Sequence, residues 1–292
     1  MVKTSDGVEI NANALVVATN TPVNDLFKIH TKQAAYRTFV IGLRIAAGSV
    51  PHGLYWDTLE AYHYVRVVDG EDGTLLLVGG EDHKTGQEND AEQRWSRLED
   101  WTRERFPAAG EVVFRWSGQV METLDGLAYI GYNHGAGDMV FVATGDSGMG
   151  LTHGTIAGLM LTDLICGRAN PWVGVYDPSR KPLGSVRDWI EENTNTFVQY
   201  KDLVTGGDVA SEEEIRPGCG AVVRHGIHKV AVSRDEAGKL HRCSAVCPHL
   251  GAIVAWNDGE KTWDCPAHGS RFAPDGHAIN GPANHGLGKV DD

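Results

Sequence analysis

Two short stretches near the C-terminal end pair a thiol with an imidazole: Cys247-Pro248-His249 and, after fifteen intervening residues, Cys265-Pro266-Ala267-His268. Thiolates and neutral imidazoles are metal ligands. If both cysteines take one iron and both histidines the other, the set suits a sulfide-bridged [2Fe–2S] centre. Cys247 and Cys265 would hold the inner iron, and His249 and His268 the outer iron near solvent. Imidazoles in place of two thiolates remove negative charge and raise the reduction potential above that of all-cysteine clusters. A titrating imidazole also couples electron transfer to pH. Two Cys and two His equally suit a tetrahedral zinc ion, so a structural zinc site stands as the alternative. Zinc sites, however, usually pair Cys with Cys and His with His across longer arms.

The wording CPHLG…WDCPAHGSRF…GHAINGP resembles the Rieske iron–sulfur family. That resemblance implies that Ser270 hydrogen-bonds the cluster and that a Gly281-Pro282 loop covers it. Two features depart from high-potential members. Ala252 and Ala267 stand where those carry an inter-loop disulfide, and Phe272 stands where a tyrosine hydroxyl would approach a sulfur. Fewer donors to the sulfurs stabilise the reduced cluster less. The potential is therefore expected in the lower part of the Rieske range of about −150 to +300 mV.

A second constellation lies upstream. Met139–Thr144 (MVFVAT) reads as a buried strand, Gly145-Asp146-Ser147-Gly148-Met149-Gly150 as a glycine-rich turn, and Leu151–Ile165 as a helix. A helix N-terminus offers unpaired N–H groups and a positive dipole end to an anion, although tight packing also explains such glycines. The segment resembles the C-terminal FAD-contacting stretch of the D-amino-acid oxidase and glycine oxidase flavoproteins. ALVVATNTP (Ala14–Pro22) and YDPSRKPL (176–183) resemble further parts of that family. The resemblance implies FAD as cofactor, with Thr19, Asn20, Pro22, Gly145, Asp146, Gly148, Met149, Gly150, Leu151 and Thr152 as contacts. The family's opening βαβ unit, with G-x-G-x-x-G and an acidic ribose ligand, has no counterpart before residue 20. The sequence reads as starting inside the family pattern, and the chain alone is expected to bind FAD poorly.

The elements that must position these groups follow from pattern. Strands are expected at Thr38–Ile45, Tyr62–Val68, Leu75–Gly79 and Glu111–Trp116. Trp95, Leu98 and Trp101 recur at helical spacing within Asp90–Phe106, which Pro107 stops. A second helix is expected over Val186–Leu203, with Trp189, Ile190 and Phe197 inward. Tyr62, Tyr64 and Arg66 alternate along one strand; an arginine there could take a substrate carboxylate, but such alternation also marks a solvated face. His83, Lys84 and His153 admit purely structural roles. Hydride transfer to a flavin often needs no acid or base from the protein, so no catalytic side chain is nominated.

The 292 residues are 41% hydrophobic and 22% charged, enough for packed cores, and the net charge is −13. That charge argues against nucleic acid and anionic membrane as partners. No apolar run reaches the roughly 18 residues that span a bilayer, and no leader pattern opens the chain, so a cytoplasmic protein is the default. Cys166, Cys219 and Cys243 read as ordinary free thiols. The expected fold is of the α+β or α/β class. Residues 1–206 form a partial FAD-binding domain whose antiparallel substrate-domain sheet spans 33–130, and residues 207–292 form a small all-β Rieske domain. The implied function is FAD-dependent oxidation of a small molecule, an amine or amino acid, coupled to one-electron transfer with an external donor or acceptor. A stand-alone Rieske electron carrier with a vestigial flavin scaffold is the alternative.

Overall fold

The computed structural model describes residues 1–4, 6–24, 29–59, 62–181, 196, 199–203 and 205–290. Its largest sheet is antiparallel, with strands in the order Leu54–Trp56, Tyr64–Gly70, Gly73–Lys84, Gln33–Ile45 and Val112–Thr123. Side chains alternate between the faces of a strand. The odd-numbered residues Phe39, Ile41 and Leu43 therefore share one face, where they are buried with Leu76 and Val78. The helix Ala91–Arg105 lies on that face through Trp95, Leu98 and Thr102, a single stripe at helical spacing. Trp95 donates its indole N–H to the Trp116 carbonyl at 3.2 Å. Leu98 is fully enclosed, a burial that contributes about 1.5–3 kcal/mol.

Three strands run further than their apolar patterns indicate, Gly73–Lys84 extending the expected Leu75–Gly79 at both ends. The last continues past Trp116 to Thr123, because Ser117, Gly118 and Gln119 pair with Phe39, Thr38 and Arg37. The central strand starts at Gln33 rather than Thr38, with Gln33 and Arg37 both buried. These polar residues read as loop in the sequence, but tertiary hydrogen bonds satisfy them.

A second, three-stranded sheet joins Leu15–Val17 in parallel to Val140–Thr144, which pairs antiparallel with Tyr129–Tyr132. The helix Gly150–Ile165 covers it, with Met160 and Leu161 against Ile130 and Phe141. The connection after residue 171 contains a short helix, Val173–Tyr176. Behind it Arg180 stacks over the Tyr129 ring at 4.0 Å and bonds Asp125. Of the expected helix Val186–Leu203, the stretch Gln199–Leu203 is a 3-10 turn instead; Trp189, Ile190 and Phe197 lie outside the described residues.

The C-terminal part is all-β, with one sheet of Cys219–His225, His228–Arg234 and Leu240–Ser244 and another of Ala255–Asn257, Thr262–Asp264, Arg271–Phe272 and Ala278–Asn280. Trp263 and Phe272 are fully buried, and Trp256 meets Trp263 edge-on at 4.9 Å. This part sits on the same face of the large sheet as the helix, further along the central strand. Arg37 is ion-paired with Glu260, which also takes Arg271 and Ser117. Gln119 donates to the Gly269 carbonyl at 3.0 Å, Gln87 to that of Pro266 at 3.2 Å, and Asn284 to that of Val23 at 2.8 Å.

Candidate iron–sulfur and flavin sites

The two ligand loops are built alike. The Cys247 N–H donates to Ala252 O at 2.8 Å and the Gly251 N–H returns to Cys247 O at 2.9 Å; Cys265, Ser270 and Gly269 repeat this at 2.7 and 2.9 Å. Each loop therefore closes four residues after its cysteine. Gly251 at φ 83° and Gly269 at φ 78° occupy the left-handed region there, which a side chain strongly disfavours. Gly269 is doubly constrained, since a Cβ on it would lie 2.3 Å from that of Ala35.

The loops point backbone donors at the sulfurs. The His249 and Leu250 N–H groups and the Ser270 hydroxyl act to lower the Cys247 thiol, and the His268 and Ala267 N–H groups act likewise on Cys265. Ser270 is fully buried and its oxygen accepts from the Ala283 N–H at 3.0 Å. The contact between the two thiols pulls Cys247 below the ordinary thiol range and, with burial, pushes Cys265 well above it. Such a pair shares a site that favours thiolate on one sulfur, with donors ready for more negative charge. The imidazoles of His249 and His268 meet edge-on, ring centres 5.0 Å apart. Burial first, then the His249 and His30 imidazoles, push His268 down to about 3, so it carries the free lone pair a metal needs. Its Nδ1 is buried without a hydrogen-bond partner, which leaves it available to ligate iron.

Among the described residues no three His, Cys, Asp or Glu side chains gather around one metal position. The four ligands stand instead as a buried thiol pair and an imidazole pair. A thiol pair and an imidazole pair are what a bridged diiron unit with one cysteine iron and one histidine iron would take. All five cysteines are free, and Ala252 and Ala267 stand in the loops.

Beside the outer ligands, both of which are half-buried, His30, itself only 4% exposed, packs its ring 5.0 Å from that of His249 and 6.0 Å from that of His268. Tyr200 also reaches the site; its hydroxyl donates to Leu250 O at 3.0 Å, and the two cysteines help burial raise it. Neither residue is legible in the sequence, since a lone His and a lone Tyr belong to no spacing pattern.

The glycine turn forms the second site. Gly145, Ser147 and Gly148 have φ of 70°, 47° and 77°, a run of left-handed residues between strand and helix. The Ser147 N–H donates to Met121 O at 3.1 Å and its Oγ accepts from the Thr123 N–H at 3.1 Å, strapping the turn to the large sheet. His153 bonds Asp146 O at 2.9 Å and is buried, which gives it a structural role in holding the turn. Asn20, Thr144, Gly145, Asp146, Gly150 and His153 border a cavity of about 300 Å³. A Cβ on Gly145, at φ 70°, would stand 2.4 Å from Thr123, so the close approach there requires glycine; one on Gly150 would stand 2.7 Å from the Asp146 carboxylate. A cavity of small residues at the start of a sixteen-residue helix fits part of a flavin nucleotide.

Not every expected flavin contact gathers here. Thr19 instead bonds Thr21 O at 2.7 Å, Pro22 is buried, and Met149, Leu151 and Thr152 face outward, Leu151 being 88% exposed. Gly148 meets the Tyr62 hydroxyl. Tyr64 packs its ring against Gly79 with its hydroxyl 3.3 Å from that of Thr38, whereas Arg66 is exposed. His83 stacks on Phe39 at 5.5 Å and bonds Lys84 O, a structural placement.

Comparison with known proteins bears on both regions. The profile of the FAD dependent oxidoreductase family matches residues 2–164, and that of the Rieske [2Fe-2S] domain matches residues 207–291. The chain is 34% identical over 262 residues to a Bacillus subtilis (strain 168) protein named as the Rieske 2Fe-2S iron-sulfur protein YhfW, covering 87% of this chain and 50% of that one. It is 52% identical over 44 residues to the cytochrome b6-f complex iron-sulfur subunit of Synechococcus sp. (strain JA-3-3Ab), 15% of this chain and 26% of that protein. Among solved structures, glycine oxidase from Geobacillus kaustophilus aligns at 20% identity and TM-score 0.43, over 51% of this chain and 40% of that one. The chain thus spans half the length of YhfW and smaller shares of other curated relatives. The first profile implies FAD and the second a [2Fe–2S] cluster. The chain belongs to the FAD dependent oxidoreductase family and carries a Rieske [2Fe–2S] domain at its C-terminal end.

Proposed function

We propose that the protein couples FAD-dependent oxidation of a small amine or amino acid, in residues 1–206, to one-electron transfer through a Rieske cluster held by residues 207–292. The observation that supports this most is the seating of the cluster loops on the sheet that straps the glycine turn. Gln119 bonds Gly269 of the second ligand loop, while Met121 and Thr123 of the same strand bond Ser147.

In this reading Cys247 and Cys265 bind the inner iron and His249 and His268 the outer iron. Ser270 and the loop N–H groups hold negative charge on the sulfurs, and Trp263, Phe272 and Tyr200 keep water from them. Asn20, Gly145, Asp146 and Gly150 border the flavin, and His153 fixes the turn. FAD, when bound, supplies acceptance of a hydride; the cluster supplies single-electron exchange with an external partner. The substrate class follows from the sequence resemblance.

Anaerobic titration of the flavin-loaded protein with small amines and amino acids, followed by EPR, tests this. A reduced-cluster signal growing in with flavin bleaching is expected. Flavin bleaching with no change at the cluster would contradict the coupling.

A further inference from the structure

Resting on the function proposed above, we infer that the imidazole edge of the cluster is an intrachain electron contact, capped by the flavin-side part through His30, and not a docking face for an external partner. Three observations converge. His30 is 4% exposed and its ring lies edge-on to both ligand imidazoles, at 5.0 and 6.0 Å. A cavity of about 160 Å³ beside it is bordered by His30, Gln33, Tyr36, Glu122, Thr123 and Ala267, so it runs between the large sheet and the second ligand loop. The far end of that lining reaches the glycine turn: a Cβ on Gly145 would lie 2.4 Å from Thr123 and 2.9 Å from the Gln33 amide oxygen. Asn20 adds a second link, donating to the Gln119 carbonyl at 3.4 Å while the Gln119 side chain donates to Gly269.

The same two strands thus meet the flavin turn through Gln33 and Thr123 and the cluster loop through Ala35 and Gln119. One electron moves per event. With both groups bound, an electron leaving one would be taken up by the other, and an external one-electron donor or acceptor would close the balance. That external partner must approach another face of the domain. His30 is a positioning residue: its ring covers one side of the half-buried imidazole pair and would hold that edge against the flavin side.

The test uses the full chain with its cluster reduced and a soluble dysprosium chelate as relaxation probe, read by EPR power saturation. Wild type is expected to be relaxed weakly. His30→Ala is expected to be relaxed several-fold more strongly at unchanged g-values, and His30→Phe, which keeps the cover, to stay close to wild type. Wild type relaxed as strongly as His30→Ala would overturn the cap. Should His30→Ala fail to fold, Gln119→Ala frees the Gly269 loop and is expected to move relaxation in the same direction by less; no change there would also count against the cap. A wild-type protein with no reduced-cluster signal at all would instead overturn the proposed function.

Discussion

The iron–sulfur loops and the glycine-turn cavity differ in where their chemistry is encoded. Each ligand loop is closed by hydrogen bonds within six consecutive residues, and its sulfur takes donors from the next three. The flavin cavity draws on residues 18–20, 128–130 and 143–157, held together by strand pairing. A site written into a short stretch survives loss of its surroundings; a site assembled from distant strands depends on the whole domain. The Rieske part is also tied to the large sheet by the charge network of Arg37, Glu260, Arg271 and Asp264.

Four substitutions would break or sharpen that contrast. Cys265→Ala should abolish the visible and EPR signature of the cluster while circular dichroism of the flavin-side sheet is kept; collapse of both would show that the two regions are not separable. Glu260→Ala strands Arg37, whose side chain is 2% exposed, and removing one partner of a buried pair typically costs about 3 kcal/mol or more. Thermal denaturation should therefore show a lowered midpoint, with Glu260→Gln intermediate.

The third bears on the large sheet alone. Burial first, then Arg94, push His83 from the usual 6.5 down to about 4. The unfolded chain then takes up that proton first, so stability present above pH 6.5 is lost as pH falls towards 4. After solvent screening the loss is on the order of 1–2 kcal/mol, and denaturant titrations of His83→Gln should be flatter across that window. The smallest effect is expected at Ser270→Ala. Removing the hydroxyl donor from Cys247 should lower the reduction potential by on the order of 50 mV, the equivalent of about one net hydrogen bond. Potentiometry would measure it, from a wild-type value in the lower part of the Rieske range.

The same contrast explains what can be read from sequence. C-x-H and C-x-x-H, each followed within two residues by glycine, are local, so the four ligands stand out in the chain's own wording, while Ser270 comes only through the family resemblance. The helix Ala91–Arg105 and the strand Val140–Thr144 stand out because their apolar spacing is regular. Ser117–Thr123 does not, because its polar residues are satisfied by groups on other strands and by the Rieske domain: Glu260 for Ser117, Gly269 for Gln119. Gln33 is satisfied by Thr144 at 3.3 Å, again across a long separation. His30 and Tyr200 reach the cluster only through tertiary placement, which no spacing rule encodes.

Two pairs of side chains, thiols within and imidazoles without, are claimed to grip a sulfide-bridged diiron unit. Iron and acid-labile sulfide analysis of the purified chain tests this most directly. Equal amounts of iron and sulfide, two of each per chain, are predicted; a single zinc ion with no labile sulfide would contradict it.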